Sequence, residues 1–289
     1  MKSTFGTRAE PLSKHTSLHI GGPAEYYVRI TTEGDLIDAI KVARENELPV
    51  FVLGAGTNLL VADQGVKGVV IHNDWAETSV DGTTITAASG TPLASVAAVA
   101  ARNGILGLEW MATVPGTVGG AVHGNAGAFG KETADDIVDA ELMDLGGRTW
   151  TATKAELGFA YRTSVLQGTP TVVVRARFRG GPGDRATAVK RIKEMANERM
   201  SKQPLAQPNT GSIFRNPPGD HAGRLIEAAG LKGTIEGGAM VSTKHANFIV
   251  NIGDASASDV RTLMQLAQRT VKEKFGVELV PEVEMVGEW

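Results

Sequence analysis

The sequence predicts an α+β protein of more than one part, and three observations carry that prediction. A strand–helix–strand run opens the chain, a β-rich stretch with one clear helix follows, and two long amphipathic helices interleaved with short strands close it. The 289 residues suffice for two or three domains and a substantial buried core.

Each element has a local reason. AEYYVRI (Ala24–Ile30) alternates and is rich in β-formers. TTEGDLIDAIKVARENELP places Leu36, Ile40 and Ala43 on one helical face, with Thr32 as its cap. PVFVLG (Pro49–Gly54) is a short apolar strand, so this βαβ run favours a parallel, helix-covered pair. GVVIHN (Gly68–Asn73) is another strand. Beyond Trp75, VDGTTITAAS carries an Asp81-Gly82 hairpin signal. TPLASVAAVAARNG (Thr91–Gly104) reads as a small-residue helix capped by Thr91 and stopped by Gly104. Strands flank Gly146-Gly147, and TVVVRARF (Thr171–Phe178) is the next. RGGPGDR (Arg179–Arg185) has the composition of a linker. The long helix ATAVKRIKEMANERMSK, the short helix HAGRLIEAAG, the strand NFIVNI and the long helix SASDVRTLMQLAQRTVKEKFG follow. That last helix has Val260, Leu263, Ala267 and Val271 as its stripe, and VELVPEVEMVG ends the chain as a strand.

Composition narrows the function classes. Hydrophobic residues make up 42% and charged residues 21%, as in a globular protein. A net charge of -3 gives no electrostatic basis for binding nucleic acid or an anionic membrane. The absence of cysteine excludes disulfides, thiolate catalysis and cysteine-ligated metals. The N-terminal MKSTFGTRAEPLSKH has no apolar signal core and no run approaches a membrane span, so a cytoplasmic protein is expected. The 35 glycines cluster in loops without a period, marking positions that need unusual backbone angles or close approach.

Two glycine loops stand out. In VLGAGTNLLV (Val52–Val61), Gly54 and Gly56 follow a strand and precede Thr57 and Asn58. Successive N–H groups there can form a nest for phosphate oxygens, or simply close a tight turn. Leu59 stands where a Rossmann fingerprint needs its third glycine, and no Gly-Lys-Ser/Thr is present for a Walker loop. TVPGTVGGAVHGNAGAFG (Thr113–Gly130) has six glycines in eighteen residues. Such a stretch is either backbone lying against a ligand or a buried crossover. His15 and His19 lack a third ligand, so no metal is expected. The acidic run ETADDIVDAE is expected to face solvent. Tyr161 and Arg162 sit in an apolar stretch, and arginine suits a carboxylate or a developing oxyanion. In PEVEMV, alternation puts Val283 and Met285 on one face and Glu282 and Glu284 on the other. Ser212, in PNTGSIFRNPPG, lies outside any nucleophile elbow. Its hydroxyl is left to cap a turn, attack a substrate or give up a proton.

Taken in order, HTSLHIGGPAEYYV, VLGAGTNLLV, TVPGTVGGAVHGNAGAFG, AYRTS, GSIFRNP, AGRLIEAAGLKG, KHANFIVN and PEVEMVG span His15 to Gly287. In this the chain resembles the UDP-N-acetylenolpyruvoylglucosamine reductases, flavoenzymes of peptidoglycan precursor synthesis. The resemblance implies an FAD-binding fold of the vanillyl-alcohol-oxidase type in two subdomains, residues 1–74 and 75–180. A C-terminal α+β substrate domain over 181–276 follows, and the strand in 277–289 returns to the first subdomain. It implies that Gly54, Gly56, Thr57 and Asn58 take the flavin pyrophosphate from one side. Pro115, Gly116, Thr117, Gly119, Asn125 and Gly127 take the cofactor from the other. It assigns Ser212 as proton donor, with Arg162 and Glu282 as its catalytic companions, and Lys202 and Asn216 to the substrate, a UDP-sugar. Tyr161–Ser164 runs almost directly into the TVVVRARF strand, which resembles the shorter subtype without an inserted substrate-binding tyrosine. The implied chemistry passes a hydride from NADPH through FAD to the enolpyruvyl methylene carbon, leaving enolate charge beside the carboxylate. Arg162 suits that charge, and an enolate carbon is basic enough to take a proton from serine. A monomer or weak oligomer is expected, with neither nucleic acid nor membrane as partner.

Overall fold

Capping and apolar spacing place most of the elements in this computed structural model, which describes residues 6–289. β1 (Thr7–Pro11) and β2 (Pro23–Ile30) lead into α1 (Glu33–Glu45). The Thr32 hydroxyl accepts from the Asp35 N–H at 3.1 Å, and the Asp35 carboxylate accepts from the Thr32 N–H at 3.0 Å. This reciprocal box satisfies amides that a helix start leaves open. β3 (Val50–Leu53), β4 (Leu59–Val61), β5 (Val66–Asn73) and the hairpin β6 (Thr78–Asp81) and β7 (Thr84–Ala88) follow. Next come α2 (Leu93–Arg102), β8 (Ile105–Leu106), α3 (Val118–Gly124), β9 (Gly127–Ala128), β10 (Lys131–Glu132) and α4 (Thr133–Asp136). β11 (Ile137–Asp144), β12 (Thr149–Thr153), β13 (Thr171–Arg179), β14 (Gly181–Pro182) and α5 (Arg185–Lys202) come after them. The chain ends with α6 (Ala222–Ala228), β15 (Ile235–Glu236), β16 (Ala239–Val241), β17 (Ile249–Asn251), α7 (Ala257–Phe275) and β18 (Glu284–Val286).

The chain divides into two compact units. The first holds Tyr26–Ala55 and Gly68–Arg199, with Gly6 and Thr7; the second holds Arg8–Glu25, Gly56–Lys67 and Met200–Trp289. These limits differ from the boundaries expected near residues 74, 180 and 276. In the first unit an antiparallel sheet runs in the order β12-β11-β13-β7-β6. Ile85, Val96, Trp110, Val118, Leu142 and Phe178 form its main core. A second core packs Leu36 and Ile40 of α1 with Ile30, Val69 and Ile71. β3 and β5 are parallel, but the strands on either side of α1 do not pair: in the order β1-β2-β5-β3, β5 lies between β2 and β3, which corrects the helix-covered pair expected from the βαβ run.

The second unit is built on the antiparallel order β15-β16-β17 and on α6 and α7. Val260, Leu263, Ala267 and Val271 of α7 are all buried, so the helical stripe read from sequence is its inner face. Ser256 caps α7, and the Asp63 carboxylate accepts from the Ala257 and Ser258 N–H groups at 2.8 and 3.0 Å. β18 pairs in parallel with β4, which puts the C-terminal strand against a segment from the first 74 residues.

Four local expectations are corrected. RGGPGDR is bound backbone, because β14 pairs with β8 and Gly183 donates to the Gly104 carbonyl at 2.8 Å. The chain instead leaves the first unit between Arg199 and Met200, late in α5. That helix is held to the first unit by Arg191–Glu109 at 3.3 Å and by Arg199 donating to the Thr113 carbonyl. Burial holds the Arg199 guanidinium below its ordinary pKa. Thr91 does not cap α2: its hydroxyl bonds to the Glu77 backbone, and the Leu93 N–H donates to Gly116 O. The acidic run does not simply face solvent. It forms α4 and the interior strand β11, where Asp136 and Asp139 are buried and paired with Lys131 and Arg177. Finally, the glycine-rich stretch is not all loop, since it contains α3.

Candidate active site

Ser212 stands in an irregular segment between two backbone anchors. Asn209 bridges to Val250, and the Ile213 N–H donates to Asn247 O at 2.8 Å. The Asn209 side chain accepts from the Gly211 N–H at 2.9 Å and closes an Asx turn. Gly211 has φ +79°, and a Cβ there would meet nothing within 4 Å, so the backbone angle and not crowding calls for glycine. Among the described residues the half-buried Ser212 hydroxyl has no hydrogen-bond partner, which sets aside the turn-capping role. Ile213 and Phe214 are 1% and 2% exposed and anchor the strand in the core of the second unit. Full burial of such side chains is worth about 1.5–3 kcal/mol each.

Glu282 joins the same segment through its backbone. Its N–H donates to Ile213 O at 2.8 Å, and the Arg215 N–H donates to Val280 O at 2.9 Å. Asn58 braces the other side: its Nδ2 donates to Glu282 O at 3.1 Å, and its carbonyl accepts from the Glu284 N–H at 3.0 Å. β18 begins only at Glu284, so Glu282 precedes the strand. Val283 is buried, but Met285 is exposed and does not share its inner face. Ser212, Glu282 and Asn58 are therefore brought together within the second unit. Asn216 accepts the Ala222 N–H at 3.1 Å, holding the start of α6, and Lys202 is exposed at the end of α5.

In the first unit the two glycine loops meet. A Cβ on Gly54 would lie 2.6 Å from Thr117 Oγ1. The boundary between the units falls inside this turn, between Ala55 and Gly56. Gly56, with φ +60°, would put a Cβ 2.2 Å from His15 O, so the protein's own backbone requires it. Val118 and Gly119 donate to Thr91 O and Ser89 O at 2.9 and 2.7 Å, clamping α3 to the β7–α2 junction. Asn125, fully buried and left-handed, ends α3. Its amide joins Ala160 O at 2.9 Å and the Ala134 N–H at 3.0 Å, so its side chain works inside the protein. Gly127 packs its Cα against Lys131 O, and its carbonyl accepts from Arg162 Nη2 at 3.0 Å. Arg162 sits at the tip of a tight turn closed by two 3.1 Å bonds between Ala160 and Thr163, with its guanidinium 5.3 Å from the Tyr161 ring centre.

Residues 203–286 match the family described as UDP-N-acetylenolpyruvoylglucosamine reductase, C-terminal domain, and residues 24–153 match the FAD binding domain. UDP-N-acetylenolpyruvoylglucosamine reductase 2 of Symbiobacterium thermophilum is 46% identical over 97% of this chain and 92% of its own. The chain belongs to the UDP-N-acetylenolpyruvoylglucosamine reductase family. The reductase of Caldanaerobacter subterraneus subsp. tengcongensis is 43% identical over 96% of this chain and 93% of its own. The crystal structure of UDP-N-acetylenolpyruvylglucosamine reductase from Thermus caldophilus superposes with a TM-score of 0.82 at 37% identity, covering 96% of this chain and 97% of that one.

As a family member the chain has an FAD-binding domain, and its residues suit the group. Within the second unit, the amides of Gly56 and Asn58 make no hydrogen bond with the rest of the described chain. Unbonded amides of this kind suit phosphate oxygens. Sequence reasoning missed Asn247, whose side chain grips the strand after Ser212. A lone asparagine inside the apolar run of KHANFIVN was the available signal, since a buried amide must find partners. No described helix is long and apolar enough to cross a membrane.

Proposed function

We propose that this chain reduces the enolpyruvyl group of UDP-N-acetylglucosamine enolpyruvate to UDP-N-acetylmuramate, a step of peptidoglycan precursor synthesis. The observation that carries the reading is an unpartnered serine hydroxyl, among the described residues, in a segment bonded to the Glu282 backbone, in a chain of this family. When bound, FAD supplies hydride chemistry, with NADPH as the reductant. Gly54, Gly56, Thr57 and Asn58 hold its pyrophosphate in this reading, and Pro115, Gly116 and Thr117 lie on the other side. Gly119, Asn125 and Gly127 support that side through the contacts described above.

The chain's own residues handle charge and the proton. Once the alkene's methylene carbon is reduced, negative charge builds on the adjacent carbon and its carboxylate. Arg162 meets that charge with a planar, permanently cationic fork. A fixed donor of this kind is worth about 3–4 kcal/mol in a water-poor site. Ser212 gives its proton to the carbanion carbon from one side, and solvent restores the hydroxyl. Glu282 polarises the surroundings of that hydroxyl, and Lys202 and Asn216 contact the UDP-sugar. A division into an FAD part and a substrate part is adopted with this reading, with the boundary moved from residue 180 to late in α5, where the compact units divide. So is action in the cytoplasm as a monomer or weak oligomer, for which light scattering would give a mass near 30.3 kDa.

The test is the visible spectrum. Purified protein, reconstituted with FAD where needed, is expected to be yellow, to bleach with NADPH and to recover its colour on addition of the enolpyruvyl substrate. Failure to bind FAD, or recovery with oxygen alone and not with substrate, would reject the reading.

A further inference from the structure

We infer that Asn247 is a positioning residue for proton transfer from Ser212; this rests on the reading of Ser212 as the donor. Asn247 is 3% exposed and lies among the buried Ala246, Phe248, Ile249 and Val250. An amide placed there must satisfy both of its ends. It does so on a single residue: Oδ1 accepts from the Phe214 N–H at 3.0 Å, and Nδ2 donates to Phe214 O at 2.7 Å. Its own carbonyl accepts from the Ile213 N–H at 2.8 Å. One asparagine thus fixes the backbone of the two residues that follow Ser212.

The opposite edge of the same segment is fixed by Glu282 and Val280. The Ser212 hydroxyl has no partner of its own among the described residues, so nothing but backbone geometry aims it. Asn247 holds one side of that backbone and the Glu282 segment the other, and Ser212 lies between the anchors at Asn209 and Ile213. A proton delivered to one face of a carbon demands that aim. A misplacement on the order of 1 Å can slow such a step about a hundredfold.

The test compares wild type, Asn247→Asp and Ser212→Ala as FAD-loaded enzymes. Asn247→Asp keeps the acceptor for the Phe214 N–H and turns the donor facing Phe214 O into a second acceptor. Expected for Asn247→Asp is flavin reduction by NADPH within about twofold of wild type and reoxidation by substrate roughly tenfold to hundredfold slower. In deuterium oxide, wild type places deuterium on one face, whereas the variant yields both configurations at the new centre. Exchange of the Phe214 amide, read by mass spectrometry without substrate, becomes faster. Unchanged reoxidation with a single configuration overturns the inference. So does a parallel fall of both half-reactions with the folded fraction, which would mark Asn247 as structural only. If Asn247→Asp does not fold, Asn247→Ser replaces it, and failure of both to fold also overturns the inference. Ser212→Ala separates the two layers: if it reoxidises normally, the proton-donor reading itself is wrong, whatever Asn247 does.

Discussion

Arg162 holds φ +58°, a left-handed conformation that costs a non-glycine residue about 1–2 kcal/mol. The strain is held by its bond to Gly127 O and by its contact with the Tyr161 ring. A residue kept there at such a cost is a candidate for function. Lysine would keep the charge but lose the planar fork. Arg162→Lys is therefore expected to lower kcat/KM about a hundredfold, with a thermal midpoint within a few degrees of wild type. Near-normal turnover in a steady-state assay would refute this. Arg162 was visible in the sequence as arginine beside tyrosine in an apolar stretch, but its turn was not. A left-handed arginine leaves no mark in composition. The segment geometry that leaves Ser212 without a partner among the described residues was equally hidden, because it depends on anchoring to Val250 and Asn247.

At the scale of elements, the second unit depends on caps made by distant segments. Asp63 closes the start of α7 from nearly two hundred residues away. Asp63→Ala should cost about 1–2 kcal/mol, measured by urea unfolding. No loss would mean that Ser256 alone suffices. The loop ahead of β17 adds a pH dependence. Burial pushes the His245 imidazole below its ordinary 6.5, with the Lys232 charge adding to that and Glu227 opposing it. Its ring nitrogen Nδ1 accepts from the Asn247 N–H at 3.2 Å. The folded pKa is lowered, so this contribution to stability is present above about pH 6.5 and is lost as pH falls toward the folded pKa. Urea midpoints at pH 7.5 and 5.5 should drop more for wild type than for His245→Gln; equal drops would contradict the burial account. α1 and α7 were legible in sequence because cap and apolar stripe agree. α3 was not: Val118, Ala121 and Val122 do share a buried face, but three glycines in VGGAVHG oppose a helix, and its start depends on contacts with Ser89 and Thr91. RGGPGDR misled because glycine there serves close backbone pairing with β8 instead of freedom.

For the whole molecule, the family was legible because eight ordered motifs outweigh any one of them. The compact units were not, because long-range packing assigns α5 mostly to the first unit and residues 56–67 to the second. A cofactor that binds only the folded chain must stabilise it, by about 2.7 kcal/mol at a hundred times its Kd. Protein stripped of FAD is expected to melt several degrees lower and to regain its midpoint on FAD addition; an unchanged midpoint would contradict the proposed grip. The most direct test of the central claim is stopped-flow absorbance of the flavin in Ser212→Ala. The account predicts normal bleaching by NADPH and a near-complete loss of reoxidation by the enolpyruvyl substrate. Reoxidation at the wild-type rate would contradict it.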